Sequence, residues 1–282
     1  MRAISELLVW CTERQGSTRA VGLLRIALAL IILARYGREV GFFAAQSSGY
    51  FLLGMYLFAL TGLMLVGYCT RAATALTAAT LVVMYFVFGH LPGQFGWNSH
   101  HSYLLMISVI FLSCTPCGRS YSLDRYLAVR RAELAGVTPP AEFGRLWATC
   151  LIGLQMSALY FWTAVDKTDW AFLSGQRLEQ IMVWHYSGRP LEEVVLWPPF
   201  LVAASVSVVI VEYFLAFAIH VRKLQWLAIP IAIALHAVFY VMLPVDTYSI
   251  TMIVLYLVVV RPEVVHEFMD RMQGNAPVTH RL

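Results

Sequence analysis

Eight long apolar runs constrain the fold of this chain more than any other feature of its sequence. A helix of about 20 apolar residues crosses the hydrocarbon core of a bilayer, and it satisfies its own backbone hydrogen bonds while doing so. The runs therefore predict an all-α bundle of about eight transmembrane helices. Their predicted bounds are 20–36, 50–68, 72–90, 101–116, 145–165, 200–220, 225–243 and 247–260.

The composition leaves little sequence for a soluble domain. Of the 282 residues, 60% are hydrophobic and only 13% are charged, whereas soluble domains carry about 25% charged residues. We therefore expect residues 1–282 to form a single transmembrane domain that is embedded in the lipid bilayer and has the lipid as its partner. The net charge of +4 comes mostly from loops on one side of the membrane, so it indicates no nucleic-acid partner.

The distribution of lysine and arginine among the loops predicts the orientation. Fourteen of these residues fall in the two termini and the loops on the same side, against five in the loops on the other side. Cytoplasmic loops carry the excess of positive charge, so both termini are predicted to be cytoplasmic. The outer loop at 166–199 is long for a structureless connection. Its helical apolar pattern, with Leu178, Ile181 and Met182 on one face, predicts one or two short helices that cover the outer mouth of the bundle.

Three ionisable residues lie inside predicted membrane helices, where each costs roughly 2.5–3.5 kcal/mol at the bilayer centre. Arg25 and Glu212 are predicted to be structural, and they are candidates for an ion pair with each other. Glu212 and His236 lie on consecutive antiparallel helices, so these two side chains are a second candidate pair. His236 is otherwise expected to hold one hydrogen bond to a neighbouring helix.

Lys167 follows the apolar helix at 145–165, and Tyr160 lies seven residues before it on the same helical face. One interpretation is that Tyr160 is a core residue and Lys167 extends to the interface. The other is that the two side chains line a partly dry pocket for a flat quinone-like or phenolic ligand.

Two further motifs give weak signals. His100 and His101 are adjacent, so they point about 100° apart on a helix and do not form a metal pair; no metal site is predicted. Cys114 and Cys117 have the spacing of a redox motif, but they lack the strand–helix context of thioredoxin-like proteins.

Several stretches, read in order, resemble the vitamin K-dependent gamma-carboxylase family and its HTTM (horizontally transferred transmembrane) domain relatives, as a short member of bacterial type. Asn98-Ser-His-His-Ser-Tyr-Leu104 is similar to the family's Trp-Asn-Asn-His-Ser-Tyr-Leu segment, with His101 on its histidine. Ser122-Leu-Asp-Arg125 resembles the family's Ser-Leu-Asp-Arg signature. In the stretch 154–175, Lys167 matches the lysine assigned as the base, and Asp166 replaces the first residue of the family's lysine pair. Glu212 and His236 match features of the later helices.

The resemblance implies an integral membrane enzyme that takes a reduced vitamin K or menaquinone from the bilayer. In the family's chemistry a neutral lysine deprotonates the hydroquinone, and oxygen converts it to an epoxide. The strong base formed on the way removes a proton from the gamma-carbon of glutamate, and the carbanion adds CO2. The site residues implied by the resemblance are Lys167 and His101 as catalytic groups, and Tyr160, Asn98, His236 and Trp170 as the lining of the quinone pocket.

The protonation of Lys167 gives this hypothesis a structural requirement. A basic amine must be neutral, and desolvation favours the neutral form, whereas the neighbouring Asp166 and Asp169 favour the ammonium. The family's chemistry therefore predicts that Lys167 is buried on the Tyr160 side and that both aspartates turn outward.

Two other functions remain open at the level of the sequence. The first is a non-catalytic membrane partner in the maturation of a secreted peptide, which keeps the fold without turnover. The second is a small-molecule transporter, although the chain shows no inverted repeat. In each case a multi-pass protein of a bacterial inner membrane is expected, with the site toward the outer face and a secreted peptide as a candidate substrate or partner.

Overall fold

The computed structural model describes residues 14–46, 48–91, 99–243 and 245–274. Across these residues the protein is almost entirely helical, with two three-residue strands. In chain order the elements are β1 (Gln15–Ser17), α1 (Arg19–Gln46), α2 (Ser48–Val66), α3 (Thr70–Met84) with a π-helical end (Tyr85–His90), α4 (His100–Ser113), α5 (Leu123–Leu134), β2 (Phe143–Arg145), α6 (Trp147–Asp166), α7 (Trp170–Leu173), α8 (Gln176–Tyr186), α9 (Glu192–Val195), α10 (Pro198–Ala218), α11 (Gln225–Met242), α12 (Asp246–Val259) and α13 (Pro262–Met272).

Each of the eight apolar runs forms a helix close to its predicted position, so the all-α fold is confirmed. Among the described residues, five helices are long and apolar enough to cross a membrane: Arg19–Gly37, Thr70–Val87, α6, α10 and α11. α12 and α13 pass the same test only together, and they are bent by 98° at their junction. By length and composition the structure thus supports five spans, or six with the bent pair, where the sequence predicted about eight. α4 has 14 residues, which at 1.5 Å per residue is shorter than the bilayer core.

The chain divides into two compact units. The first contains the residues up to Ile152 and those from Ile250 onward, and the second is Gly153–Ser249. In the first unit β1 and β2 pair in an antiparallel register that places Gly16 opposite Gly144. Arg19 donates hydrogen bonds to Asp270 (2.6 Å) and to Glu142 (3.0 Å). These bonds tie α13 and the segment before β2 to the first turn of α1.

Arg25 is fully buried in the first unit. It donates hydrogen bonds to the backbone carbonyls of Cys117 (3.1 Å) and Tyr121 (2.5 Å). Gly67, with a φ of 73°, lies against the same guanidinium, and a Cβ at Gly67 would stand 2.6 Å from Arg25 Nη1. Arg25 is therefore a structural residue, as predicted, but its partners are carbonyls of the turn after α4. The predicted ion pair of Arg25 with Glu212 is wrong, because the carboxyl of Glu212 binds a different cation.

Ser122 and Asp124, from the Ser-Leu-Asp-Arg signature, cap two helices. The Ser122 hydroxyl accepts a hydrogen bond from the backbone N–H of Arg125 (2.9 Å) and so caps α5. The Asp124 carboxylate accepts bonds from the backbone N–H groups of Cys69 (2.9 Å) and Thr70 (2.7 Å) and from the Thr70 hydroxyl. A negative charge at the N-terminus of α3 also complements the helix dipole. This signature therefore has a structural role in the present chain.

Asp124→Ala is expected to lower the free energy of unfolding by about 1–3 kcal/mol, because it leaves the first turn of α3 without its acceptor. The shift in the thermal unfolding midpoint of the detergent-purified protein measures this effect. Glu133→Ala is the matched control, since Glu133 is exposed on α5 and its carboxylate lies 3.8 Å from Arg130 in a surface pair. Equal midpoints for the two variants would contradict the capping role.

In the second unit the predicted outer loop contains three short helices, α7, α8 and α9, rather than one or two. Leu178 and Met182 of α8 form a small buried cluster with Val195 and Leu201. Ile181, which was predicted to share the apolar face of α8, is exposed. The cluster packs the segment against the first turn of α10. That these helices cover the outer mouth of the bundle stays a prediction.

Candidate active site

Lys167 lies immediately after the last residue of α6, and its backbone N–H still bonds to the carbonyls of Thr163 and Ala164. Its side chain turns inward, with an exposed fraction of 22%, and its Nζ donates a hydrogen bond to Glu212 Oε1 at 2.5 Å. The Glu212 side chain, on α10, is only 4% exposed. Lys167 is therefore neither a solvated anchor nor an isolated amine, since it forms a close pair with a buried carboxyl.

The two aspartates beside Lys167 point away from it. The side chains of Asp166 and Asp169 are 71% and 49% exposed, and both pair with Arg177 of α8, at 3.5 Å and 2.9 Å. Asp169 also caps α7 by accepting a bond from the backbone N–H of Phe172 (2.6 Å). The outward turn that the carboxylase chemistry requires of these aspartates is thus present, and Arg177 is the cation that neutralises them.

Aromatic rings surround the ammonium of Lys167. Its Nζ lies 6.0 Å from the ring centroid of Phe172 on α7 and 6.0 Å from that of Phe239 on α11. These are cation–π distances, so two rings lie beside the ammonium of the Lys167–Glu212 pair. Neither phenylalanine was identified from the sequence, because an apolar residue in an apolar helix carries no local signal of a site.

A second buried pair lies beside the first. The Tyr160 hydroxyl and His236 Nε2 are 2.7 Å apart, and both side chains are buried. The Phe239 ring, which faces Lys167, also contacts the His236 ring at 5.8 Å. Phe239 therefore connects the two pairs. The predicted approach of Glu212 to His236 is replaced by separate partners, since Glu212 bonds to Lys167 and His236 to Tyr160.

Two buried polar atoms of this cluster have no hydrogen-bond partner among the described residues. They are Glu212 Oε2 and His236 Nδ1. Buried polar atoms are almost always satisfied in folded proteins, and each unsatisfied one costs about 1–3 kcal/mol. Glu212 Oε2 can accept a hydrogen bond and His236 Nδ1 can donate or accept one, so both atoms are available to a ligand.

Tyr160→Phe is expected to destabilise the protein by about 1–3 kcal/mol, because it leaves Nε2 of the buried His236 ring without its Tyr160 partner. The double variant Tyr160→Phe/His236→Phe should be more stable than the sum of the two single variants predicts. Thermal unfolding of the four proteins gives the coupling. Strict additivity would show that the Tyr160–His236 bond contributes nothing.

The other predicted pocket residues have different positions. Trp170 begins α7, but its side chain is 82% exposed and does not join this cluster. Asn98 lies outside the described residues. His101 belongs to the first unit, where it is half-buried and its ring packs on that of His100 at 4.2 Å. Its proposed catalytic part stays a prediction.

The Cys114 and Cys117 thiols are both free. Cys117 is buried, and burial raises the pKa of its thiol, whereas reactive cysteines have a lowered pKa. This environment disfavours redox catalysis at the pair. Within the described part of the chain, no group of three or more His, Cys, Asp or Glu side chains is placed to hold a metal ion.

Comparison with known proteins identifies the family. The sequence matches the HTTM domain over residues 39–263, a range that includes both buried pairs. Neither the curated proteins nor the solved structures contain a match. The HTTM domain is associated with vitamin K-dependent carboxylase-like membrane proteins. With its apolar helices and a match over most of its length, the chain is an integral membrane protein that belongs to the HTTM domain family.

Proposed function

We propose that this protein is a membrane enzyme of the vitamin K-dependent carboxylase type, with Lys167 as the general base toward a reduced naphthoquinone. The observation that carries the proposal is the 2.5 Å bond between Lys167 Nζ and the buried Glu212 Oε1. General bases act within hydrogen-bond reach of the proton they remove, and this pair lies between aromatic rings that suit a flat ligand.

A lysine amine is protonated at neutral pH and must lose this proton before it can act as a base. Glu212 is the group that can accept the proton. When a bound ligand excludes water from the pair, its two charges become costly, and transfer of the proton from Lys167 Nζ to Glu212 Oε1 is favoured. The resulting neutral amine accepts a proton from a hydroxyl group of the substrate. The pair then carries one positive charge, which stabilises the oxyanion left on the substrate.

The cluster has the groups that such a ligand requires. Phe172 and Phe239 offer ring faces, and Glu212 Oε2 and His236 Nδ1 offer unsatisfied polar atoms. Tyr160 orients His236 through their 2.7 Å bond. The bound hydroquinone supplies the reducing power for reaction with oxygen, and that reaction provides the base needed to remove a carbon-bound proton. His101, in the first unit, is the second proposed catalytic group.

Oxygen and CO2 are the proposed co-substrates, and a secreted peptide with accessible glutamates is the proposed acceptor. We place the site toward the outer face of a bacterial inner membrane, because the lysine and arginine distribution puts the 166–199 segment there. The alternative is a non-catalytic maturation partner for such a peptide. The Lys167–Glu212 pair is the observation that favours this alternative, since charged residues within membranes usually form structural ion pairs.

The test is an epoxide assay on purified protein supplied with reduced menaquinone or vitamin K in air. Lys167→Ala is expected to abolish epoxide formation, whereas Lys223→Ala is expected to leave it unchanged. Lys223 is the only other lysine of the chain, and it is exposed in the turn between α10 and α11. Epoxide formation that does not depend on Lys167, or none by the wild type, would contradict the enzyme proposal and leave the maturation partner.

A further inference from the structure

A cavity with a volume of about 790 Å³ lies entirely in the first unit. Its lining includes the first residue of α3 (Thr70), the last residue of α4 (Ser113) and the first residue of α6 (Trp147). Three apolar helices thus begin or end at one cavity. Helix ends of this kind mark the boundary between the hydrocarbon core and water, where lipid phosphates and soluble anions are both accessible.

Three arginines line this cavity, namely Arg71, Arg119 and Arg145. All three are exposed. Among the described residues, no carboxylate pairs with any of them. One nitrogen of Arg119 donates to the carbonyl of Phe143, which positions its guanidinium and leaves its other donors available. Each guanidinium has five N–H donors in a planar fork, so the cavity presents many more donors than its own residues use.

The acidic residue in the lining does not neutralise the arginines. Asp124 contributes to the cavity wall, but its two oxygens already accept three hydrogen bonds from Cys69 and Thr70 at the start of α3. Three cations against one engaged carboxylate leave a concave surface with an excess of two positive charges. Such a surface concentrates anions.

The chemistry of the donors indicates the kind of anion. Guanidinium groups bind phosphate oxygens in bidentate fashion and are preferred where that geometry matters. The volume is within the range of sites for small ligands, and the Trp147 indole beside the arginines is a side chain typical of the interface. We propose that this cavity binds a phosphate-bearing anion through Arg71, Arg119 and Arg145, either as the headgroup of an anionic phospholipid or as free phosphate.

The test uses the full-length protein in detergent with two probes. Phosphatidylglycerol binding is followed by native mass spectrometry, with phosphatidylcholine as the zwitterionic reference, and inorganic phosphate binding by calorimetry. We expect about tenfold or more weaker binding, of whichever probe the wild type binds, in the triple variant Arg71→Gln/Arg119→Gln/Arg145→Gln. The matched control is Arg131→Gln/Arg189→Gln/Arg222→Gln, which removes the same charge from exposed positions outside the cavity and should change binding less than about twofold.

Because Arg119 also supports Phe143, the double variant Arg71→Gln/Arg145→Gln is included, and it should bind more weakly while unfolding at the wild-type temperature. Loss of phosphatidylglycerol binding alone identifies a lipid site, and loss of phosphate binding alone identifies a site for a soluble anion. The proposal is overturned if neither probe binds the wild type, if the cavity variants bind as the wild type does, or if the control variant loses as much affinity.

Discussion

Lys167→Met is expected to lower the free energy of unfolding by about 3–5 kcal/mol, because it leaves the Glu212 carboxyl buried without its cation. Glu212 is 4% exposed, and its Oε2 has no hydrogen-bond partner among the described residues. Glu212→Gln should destabilise the protein less, by about 1–3 kcal/mol. The reason is that Lys167 is partly exposed, and a long lysine side chain can extend toward water.

The double variant Lys167→Met/Glu212→Met should recover most of this loss, since an apolar pair of similar volume often replaces a buried ion pair at little cost. Thermal unfolding in detergent measures all three variants. Arg177→Met is the control, because Arg177 pairs with Asp166 and Asp169 at the exposed end of the same segment and such pairs contribute about 0–1 kcal/mol. A Lys167→Met protein as stable as the Arg177→Met protein would contradict a stabilising buried pair of Lys167 with Glu212.

Glu212→Gln is expected to reduce the rate of epoxide formation by about 10²–10⁴-fold, because the amide keeps the shape of the side chain but cannot take the proton from Lys167. Affinity for the reduced quinone should change much less, since the amide still offers polar atoms to the ligand. Initial rates over a range of quinone concentrations separate the two effects. Glu193→Gln, at an exposed position of α9, should have the wild-type rate. A Glu212→Gln variant with more than half of that rate would remove Glu212 from the mechanism.

The positions of the helices were predictable, because each run is mostly apolar over many consecutive residues and ends at polar or turn-forming residues. α5 and α13 were not predicted. Both are amphipathic or polar, and the interpretation of the sequence rested on continuous apolar runs. α13 buries Val265 while Val264 and Phe268 stay exposed, a helical pattern that a search for periodicity in the tail would have found.

The site was predictable only in part. Lys167 was identifiable because a lysine at the end of an apolar helix is unusual, and Tyr160 because it shares the same helical face. The partner of Glu212 was not, since one sequence does not state which faces of two helices meet. Three residues were possible partners of Glu212, because each can carry a positive charge and lies in or at the end of a predicted membrane helix: Arg25, His236 and Lys167. Asp166 and Asp169 are the acidic residues nearest to Lys167 in the sequence, so they were the expected partners of its ammonium. Their actual partner, Arg177, lies eight residues or more further along the chain.

A single-turnover assay of Lys167→Met/Glu212→Met tests the proposed catalytic pair most directly, because this variant removes both reactive groups while its stability is expected to stay near that of the wild type. The protein is incubated with reduced menaquinone and oxygen in nanodiscs, and the epoxide is quantified by chromatography. If Lys167 and Glu212 act as the base, the wild type forms epoxide and the folded double variant forms none above the protein-free control. Epoxide formed by the folded double variant at the wild-type rate would contradict this role for the pair.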